Sequence, residues 1–405
     1  MRITSVFKTL LNLQGIRVRK VHFDLDSDCI RVDVVPTLRK HRCPQCNFAT
    51  AGRYDSDFRG WRHVALGRWR IELEYQICRL VCPSHGVITE AVPWAQPRSA
   101  FTTDFEDLVA WTARTMDKTA VTRLLHIAWA TVGEVIQRVV QRKQDADRLN
   151  NLYVIGIDEV SYRKGHKYLT IIVDHLAGKP VYITEGRSQE AVGEFFDEIG
   201  PQRAQEVAAA SMDMAAPYIA EVRARAPNAE IAFDPFHVVK LASEAVQEVR
   251  RSEVRDNKDL PAAQVLKDAR WSLLRAKESQ TAQDQLRLSE VAALNKPVYR
   301  AYLLKEELRA LYSCPMEAAE SHLDAWLSWA SRSQLDPFIR VARTLRTYRD
   351  GVLAAIRLGL SNGRLEGINN KVGVIKRRAY GFHSAAALIS MIFLCCSNLP
   401  ISLPI

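Results

Sequence analysis

An α/β chain of several domains is what this sequence predicts, and three observations predict it. Two short Cys/His pairs flank strand-like alternation near the start. Helical periodicity takes over from Thr102. Beyond residue 150, apolar strands alternate with helices, and several strands run into an acid. A length of 405 residues exceeds one ordinary core and favours two to four domains. Hydrophobic residues make up 47% and charged residues 25%, as in soluble globular proteins. A net charge of +10 favours polyanionic partners, nucleic acid before anionic membrane. Residues 1–13 lack an apolar run ending in small residues, so no leader is expected. The longest apolar stretch, 385–396, is too short to span a bilayer and reads as a buried helix, so no membrane partner is expected. Eight scattered Cys exclude a secreted disulfide framework and point to a reducing cytosol.

The first element is a metal-binding candidate. "HRCPQC" supplies Cys43 and Cys46, and "LVCPSHG" supplies Cys82 and His85. The pairs lie about forty residues apart, each in a Pro- or Gly-containing turn. Tetrahedral Zn2+ takes four N or S ligands, and two such knuckles deliver two each. Between them "GRWRIELEYQICRLVC" alternates with period two, so knuckle, strands and knuckle form a zinc-ribbon pattern. Cys78 is an alternative ligand but sits inside the strand and reads as core.

Helices follow. "TTDFEDLVAWTART" opens on a capping signal and places Phe105, Leu108, Val109 and Thr112 on one side. Residues 118–126 form a second short helix, and "AWATVGEVIQRVVQRK" a third, with Val132, Val135, Ile136 and Val139 inward. Short helices with a tight connection are a helix-turn-helix candidate, in which Trp129, Thr131, Glu134 and Arg138 would face DNA.

A new domain is expected from about residue 151. Residues 153–157 read as a buried strand ended by Asp158; "RKG" is a turn; "KYLTIIVDH" and "KPVYITEG" are two further strands. A helix over 188–199, a strand ending at Asp213, a helix over 214–226, a strand ending at Asp234 and a helix from His237 complete the order βββαβαβα. That is the order of a ribonuclease-H-like fold, with antiparallel strands first and parallel ones added through helices.

Acids at the ends of apolar strands need a partner or a metal, because an unpaired buried carboxylate costs several kcal/mol. Asp158 and Asp213 end adjacent strands of this fold, so their side chains are expected to converge. Glu366, in "SNGRLEGINNKVGVIKRRAYGF", is expected to complete the set. On a helix over 365–377, Leu365, Ile368, Val372 and Ile375 share one face, and Glu366, Asn370, Gly373 and Arg377 share another. The acid would hold a cation while Asn370, Lys376, Arg377 and Arg378 hold phosphate oxygens. Three carboxylates suit two Mg2+ (or Mn2+) ions, about 3.5–4 Å apart, for in-line phosphoryl transfer. Glu159 is left outside this triad because neighbours on a strand face opposite ways.

These segments, in this order and over nearly the whole chain, resemble the ISL-three family of DDE insertion-sequence transposases; "IGIDEVSYRKGHKYLTIIVD", "SMDMAAPY", "FDPFHVVK" and the Glu366 segment carry the resemblance most specifically. The resemblance implies a zinc ribbon, a helix-turn-helix, and a ribonuclease-H-like catalytic domain interrupted by a helical insertion. It implies Asp158, Asp213 and Glu366 as the catalytic triad, and Asp234 and His237 as an accessory aspartate–x2–histidine motif. Metal-dependent cleavage and strand transfer at element ends would then be the activity. The partners would be the terminal inverted repeats and target DNA, with a homo-oligomer assembled on them, in the cytoplasm at the nucleoid.

The expected domains are a zinc ribbon over 1–98, a helix-turn-helix region over 99–150, catalytic core over 151–243, helical insertion over 244–355, and core again over 356–405. About 130 residues separate Asp234 from Glu366, enough for a domain, and they are rich in Ala, Leu, Arg, Glu and Gln. A DNA-binding regulator with an inactive catalytic fold, and a nuclease without strand transfer, are the competing readings.

Overall fold

A computed structural model describes residues 2–163, 165, 167–360 and 363–403. Lys164 of the expected turn, and Ser361 and Asn362 at the start of the Glu366 segment, lie outside the described residues. The chain divides into two compact units, Met1–Gln144 with Arg377–Ile405, and Asp145–Lys376.

The first unit opens with helix α1 (Ile3–Leu11) and strands β1 (Ile16–Asp24), β2 (Cys29–Pro36), β3 (His41–Arg42), β4 (Ala49–Thr50), β5 (Asp55–Leu66), β6 (Trp69–Cys82) and β7 (Gly86–Thr89). One sheet runs β1-β2-β6-β5, with β7 on β6, while β3 and β4 form a separate hairpin. Alternation along β6 buries Ile71, Leu73 and Ile77, which pack with Trp61 and Trp94 into one core. Helices α2 (Thr103–Ala113), α3 (Lys118–Leu125) and α4 (Trp129–Lys143) follow. Thr102 caps α2 by accepting from Phe105 N, and Asp117 caps α3 by accepting from Ala120 N.

In the second unit, β8 (Val154–Arg163), β9 (Lys167–Asp174) and β10 (Lys179–Glu185) form an antiparallel meander. Helix α5 (Gln189–Glu206) leads to β11 (Ala209–Met212), and α6 (Ala216–Arg225) to β12 (Glu230–Phe233); the sheet order is β10-β9-β8-β11-β12, with β8, β11 and β12 parallel. The α5 turn breaks at Gly200 (φ 77°), just before Pro201, and resumes beyond the expected end at residue 199. The element order is the one expected. One detail differs: Asp158 lies inside β8 rather than at its end, because the strand keeps pairing with β9 in register to Ser161 and, past a shift, to Arg163.

Helix α7 (Pro235–Asp256) then enters an all-helical region: α8 (Pro261–Asp268), α9 (Arg270–Leu274), α10 (Ala282–Leu294), α11 (Lys296–Ala310), α12 (Met316–Ser331), α13 (Asp336–Thr347) and α14 (Arg349–Arg357). The region returns to the sheet through α14, which packs on β12. A Cβ at Gly351 would overlap the Phe233 ring and stand 3.1 Å from Ile231 O, so glycine permits that close approach. Helix α15 (Gly363–Arg378) buries Leu365, Ile368, Val372 and Ile375, the face that periodicity marks. Helix α16 (Ala385–Cys396) joins the first unit, packing on α4, while Arg114 donates to Leu394 O and Leu399 O. The expected segment 356–405 is therefore divided at Lys376. An apolar helix goes where a complementary face exists, and α4 supplies one.

Candidate active site

Parallel pairing builds the site. Ser211 pairs with Gly156, and Met212 with Phe233. Carried one or two residues further, that register sets Asp158, Asp213 and Asp234 side by side. Strand ends at a sheet's C-terminal edge are where α/β folds place their ligands.

Asp158, Asp213 and His237 each offer one atom, all within 4.8 Å of one another. His237 Nε2 lies 2.8 Å from Asp213 Oδ1 and 3.7 Å from Asp234 Oδ2. Asp234 spends its other oxygen as the cap of α7, accepting from Phe236 N at 3.1 Å. Asp158 Oδ1 accepts from Glu159 N at 2.7 Å, and its Oδ2 from Asn369 Nδ2 at 2.6 Å. Burial, followed by the charge of Asp213, pushes the Asp158 carboxyl up to about 6, against its hydrogen bonds and the His237 charge. Burial would lower His237, but Asp213 in contact and the charges of Asp234 and Asp158 raise it. Glu159 is also pushed up, by burial first.

Glu366 is exposed and lines one cavity of about 270 Å³ with Asp158, Asp234, His237 and Asn369. That volume is below the range that encloses a drug-sized molecule. Glu366 stands outside the 4.8 Å cluster, and His237 stands inside it. The His237–Asp213 contact was not legible from spacing, since the two residues come from different elements. Asn369 was missed as well: the helical projection singled out Asn370, one residue on, and no local pattern links Asn369 to an acid 211 residues away.

The donor set fits a hard divalent cation. The oxygens are carboxylates. Asp213 Oδ1 is a buried atom with no well-directed hydrogen bond despite the short His237 contact.

Of the residues expected to touch DNA, Asn370 and Arg377 are exposed. Lys376 donates to Ser161 O, and Arg378 to Arg114 O and Ala113 O, so both are partly spent on their own fold. Trp129 is half exposed, with Lys118 Nζ 3.4 Å above its ring, and Thr131 is partly exposed beside it. Arg138 differs from the expectation of a free side chain. Its Nε donates at 2.7 Å to Glu106, which is fully buried; Arg142 binds Glu106 as well, at 2.7 Å, and also pairs with Asp107. A buried carboxylate needs cations, and Arg138 and Arg142 supply them.

At the other centre, the turns after β3 and β6 bring Cys43, Cys46, Cys82 and His85 within 4.8 Å of one another. Cys46 Sγ lies 3.4 Å from Cys82 Sγ, and His85 Nδ1 lies 3.6 Å from Cys43 Sγ and 3.4 Å from Cys82 Sγ. A zinc tetrahedron with ordinary Zn–S bonds has S–S edges of roughly 3.8 Å, so the four fit Zn2+ with little adjustment. Burial opposes ionisation of Cys82, but bonds to His85, Ser84 and Cys46 outweigh it and bring the thiol down to about 6. A nearby group, His41, Cys78 and Glu90, also clusters. There both Glu90 oxygens are used: Oε1 accepts from Cys78 N at 2.8 Å and Tyr75 OH at 3.2 Å, and Oε2 meets His41 Nδ1 at 2.6 Å. That group braces the knuckle against β6.

With this geometry in view, the comparisons decide the family. Residues 155–392 match the DDE transposase model of type ISL3, described as "Transposase", and residues 90–140 match the "Helix-turn-helix domain of transposase family ISL3". The chain belongs to the ISL3 family of insertion-sequence transposases. It is 36% identical to the transposase for insertion sequence element IS1557 from two strains of Mycobacterium tuberculosis, over 97% of this chain and 96% of that protein. It is 29% identical to the transposase for insertion sequence element IS1001 of Bordetella parapertussis, over 93% and 94%. The helix-turn-helix match takes in α2, α3 and most of α4. Among the described residues, no helix is long and apolar enough to cross a membrane.

Proposed function

We propose that this ISL3 transposase binds the ends of its insertion sequence and cuts and joins DNA there, with Asp158, Asp213 and Glu366 as the acids that hold divalent cations. The observation that carries this reading is the meeting of Asp158 and Asp213 from neighbouring parallel strands, with Glu366 lining a cavity beside Asp158. The three antiparallel and two parallel strands of the second unit, in the order β10-β9-β8-β11-β12, support a ribonuclease-H-like architecture. The helical region after α7 is then an insertion between the second acid and the third.

Each residue has a task that its surroundings support. Asp158 presents a carboxylate whose orientation is held from two sides. Asp213 offers an oxygen that meets the group of Asp158 and His237, with His237 Nε2 at 2.8 Å. Glu366, exposed on α15, lines the same cavity as Asp158 and would complete the set of acids. His237, raised by its contact with Asp213 and by the neighbouring acids, favours a proton beside Asp213 and would offset part of that acid's charge. Bound Mg2+ or Mn2+ would supply activation of the attacking oxygen and stabilisation of the leaving one. Asn370 and Arg377, both exposed, would contact phosphate oxygens. Cys43, Cys46, Cys82 and His85 would hold a structural Zn2+ in the unit that carries the helix-turn-helix. DNA recognition would fall to that unit, with protomers pairing on the two ends.

The deciding experiment is a cleavage and strand-transfer assay on DNA bearing the element's terminal repeats, in Mg2+, with Glu366→Gln. The substitution keeps size and removes charge. Loss of both steps with end binding retained supports the triad; near-normal cleavage overturns it.

A further inference from the structure

We infer that Asn369 is a positioning residue that sets the orientation of the Asp158 carboxylate toward the bound cation. The inference rests on the cation-holding role proposed for Asp158.

The geometry is specific. Asn369 Nδ2 donates to Asp158 Oδ2 at 2.6 Å, while Oδ1 is held by Glu159 N at 2.7 Å. Rotation of the carboxylate about its last bond would break both contacts. Each carboxylate oxygen keeps a second acceptor direction, so neither bond prevents cation binding. Asn369 lines the cavity with Asp158 and Glu366. It stands one helical turn after Glu366, so a single face of α15 delivers an acid and an amide to the same space.

The choice of side chain matters. A lysine or arginine at this place would orient Asp158 equally well, but its positive charge would compete with the cation. An amide orients without neutralising. Outer partners of this kind fix the direction of ligating carboxylates. The contact also couples α15 to β8, so Glu366 cannot shift along its helix axis without pulling on Asp158. The anchor at the helix start has the same sense: Arg364 donates to His175 O and, at 2.6 Å, to Leu176 O.

The test is Mn2+ binding by titration calorimetry to the full chain, beside the Mg2+ concentration needed for half-maximal cleavage. Asn369→Leu keeps volume and removes the donor; Asn369→Ser shortens the side chain, overpacks nothing, and carries the same expectation should Asn369→Leu fail to fold. Both measures should weaken about 10- to 100-fold, as removal of such partners usually does. Cleavage should recover substantially at saturating Mg2+, and melting of the metal-free protein should stay near wild type. A merely structural amide would instead lower the melting temperature and depress cleavage at every Mg2+ concentration. A folded variant that binds Mn2+ within about twofold of wild type overturns the inference. Asp158→Asn separates this from the reading beneath it. If Asp158→Asn also keeps Mn2+ binding and cleavage, the proposed site fails; if it loses both while the Asn369 variants keep them, only the role of Asn369 fails.

Discussion

His237 Nε2 stands 2.8 Å from Asp213 Oδ1, and both lie within 4.8 Å of an Asp158 oxygen. On the proposed reading of the site, a proton on His237 and a cation held by the two aspartates would compete. His237 is raised, so its charged pairing with Asp213 is complete below about pH 6.5 and fades as pH passes its folded value. Asp158, pushed up to about 6, holds its proton longer in the folded chain than in the unfolded one. That favours the metal-free fold at low pH and is lost between about pH 4 and pH 6. Both effects have the same sign. The stabilisation given by Mg2+, read as a rise in melting temperature, should be small near pH 5 and grow toward pH 8. Asp158→Asn should abolish it. A shift independent of pH would contradict the competition.

The same contact predicts proton release. Calorimetric titration with Mn2+ near pH 6.5 in buffers of different ionisation enthalpy should report protons leaving the site. His237→Gln should reduce that number by up to one per chain. An unchanged number would mean that His237 gives up no proton when the cation enters.

Zinc analysis should give about one ion per chain, not two, because both Glu90 oxygens in the His41–Cys78–Glu90 group are already engaged. Cys46→Ser should lose the ion and destabilise the hairpin of β3 and β4, which has little core of its own. Glu90→Gln should keep the ion while lowering the melting temperature. Two zinc ions in the wild-type chain would reassign the second group.

Arg138 and Arg142 share the buried carboxylate of Glu106. Removing a partner from such a group costs about 3–5 kcal/mol, so Arg142→Ala should destabilise the first unit by an amount of that order. Arg138→Ala should weaken DNA binding through lost folding rather than a lost phosphate contact. The slope of log affinity against log salt should then change little when binding is measured on the folded fraction. A slope reduced by about one unit would return Arg138 to the DNA-facing set.

The meeting of Asp158 and Asp213 was legible because an aspartate after an apolar strand breaks the local pattern; Glu366 stood out as a lone acid among Asn, Gly and basic residues. The strand order was legible because turns and alternation are local. What was not legible depends on partners far along the chain. The length of β8 was misread because its pairing with β9 continues past Asp158. Glu106 gave no signal because its partner Arg138 is 32 residues away. The assignment of α16 to the first unit depends on Arg114, nearly three hundred residues before its acceptors, and periodicity in an all-apolar helix shows no preferred face.

Gly156 controls how closely α15 approaches the sheet. A Cβ there would overlap Leu365 Cδ1 and stand 3.2 Å from Ser211 Oγ and 3.3 Å from His175 Cδ2. Leu365 is only 1% exposed, so its side chain has nowhere to retreat. Gly156→Ala should therefore cost about 1–3 kcal/mol by overpacking. It should also push out the helix that carries Glu366 and Asn369, with cleavage falling more than end binding. The double variant Gly156→Ala with Leu365→Ala tests the cause. The Leu365 truncation alone opens a cavity, at a cost of about 2–5 kcal/mol. If the steric account holds, the new methyl fills part of that space, and the pair is more stable than the sum of the two single changes by at least about 0.5 kcal/mol. Strict additivity would mean that Gly156 serves the strand rather than the approach of α15.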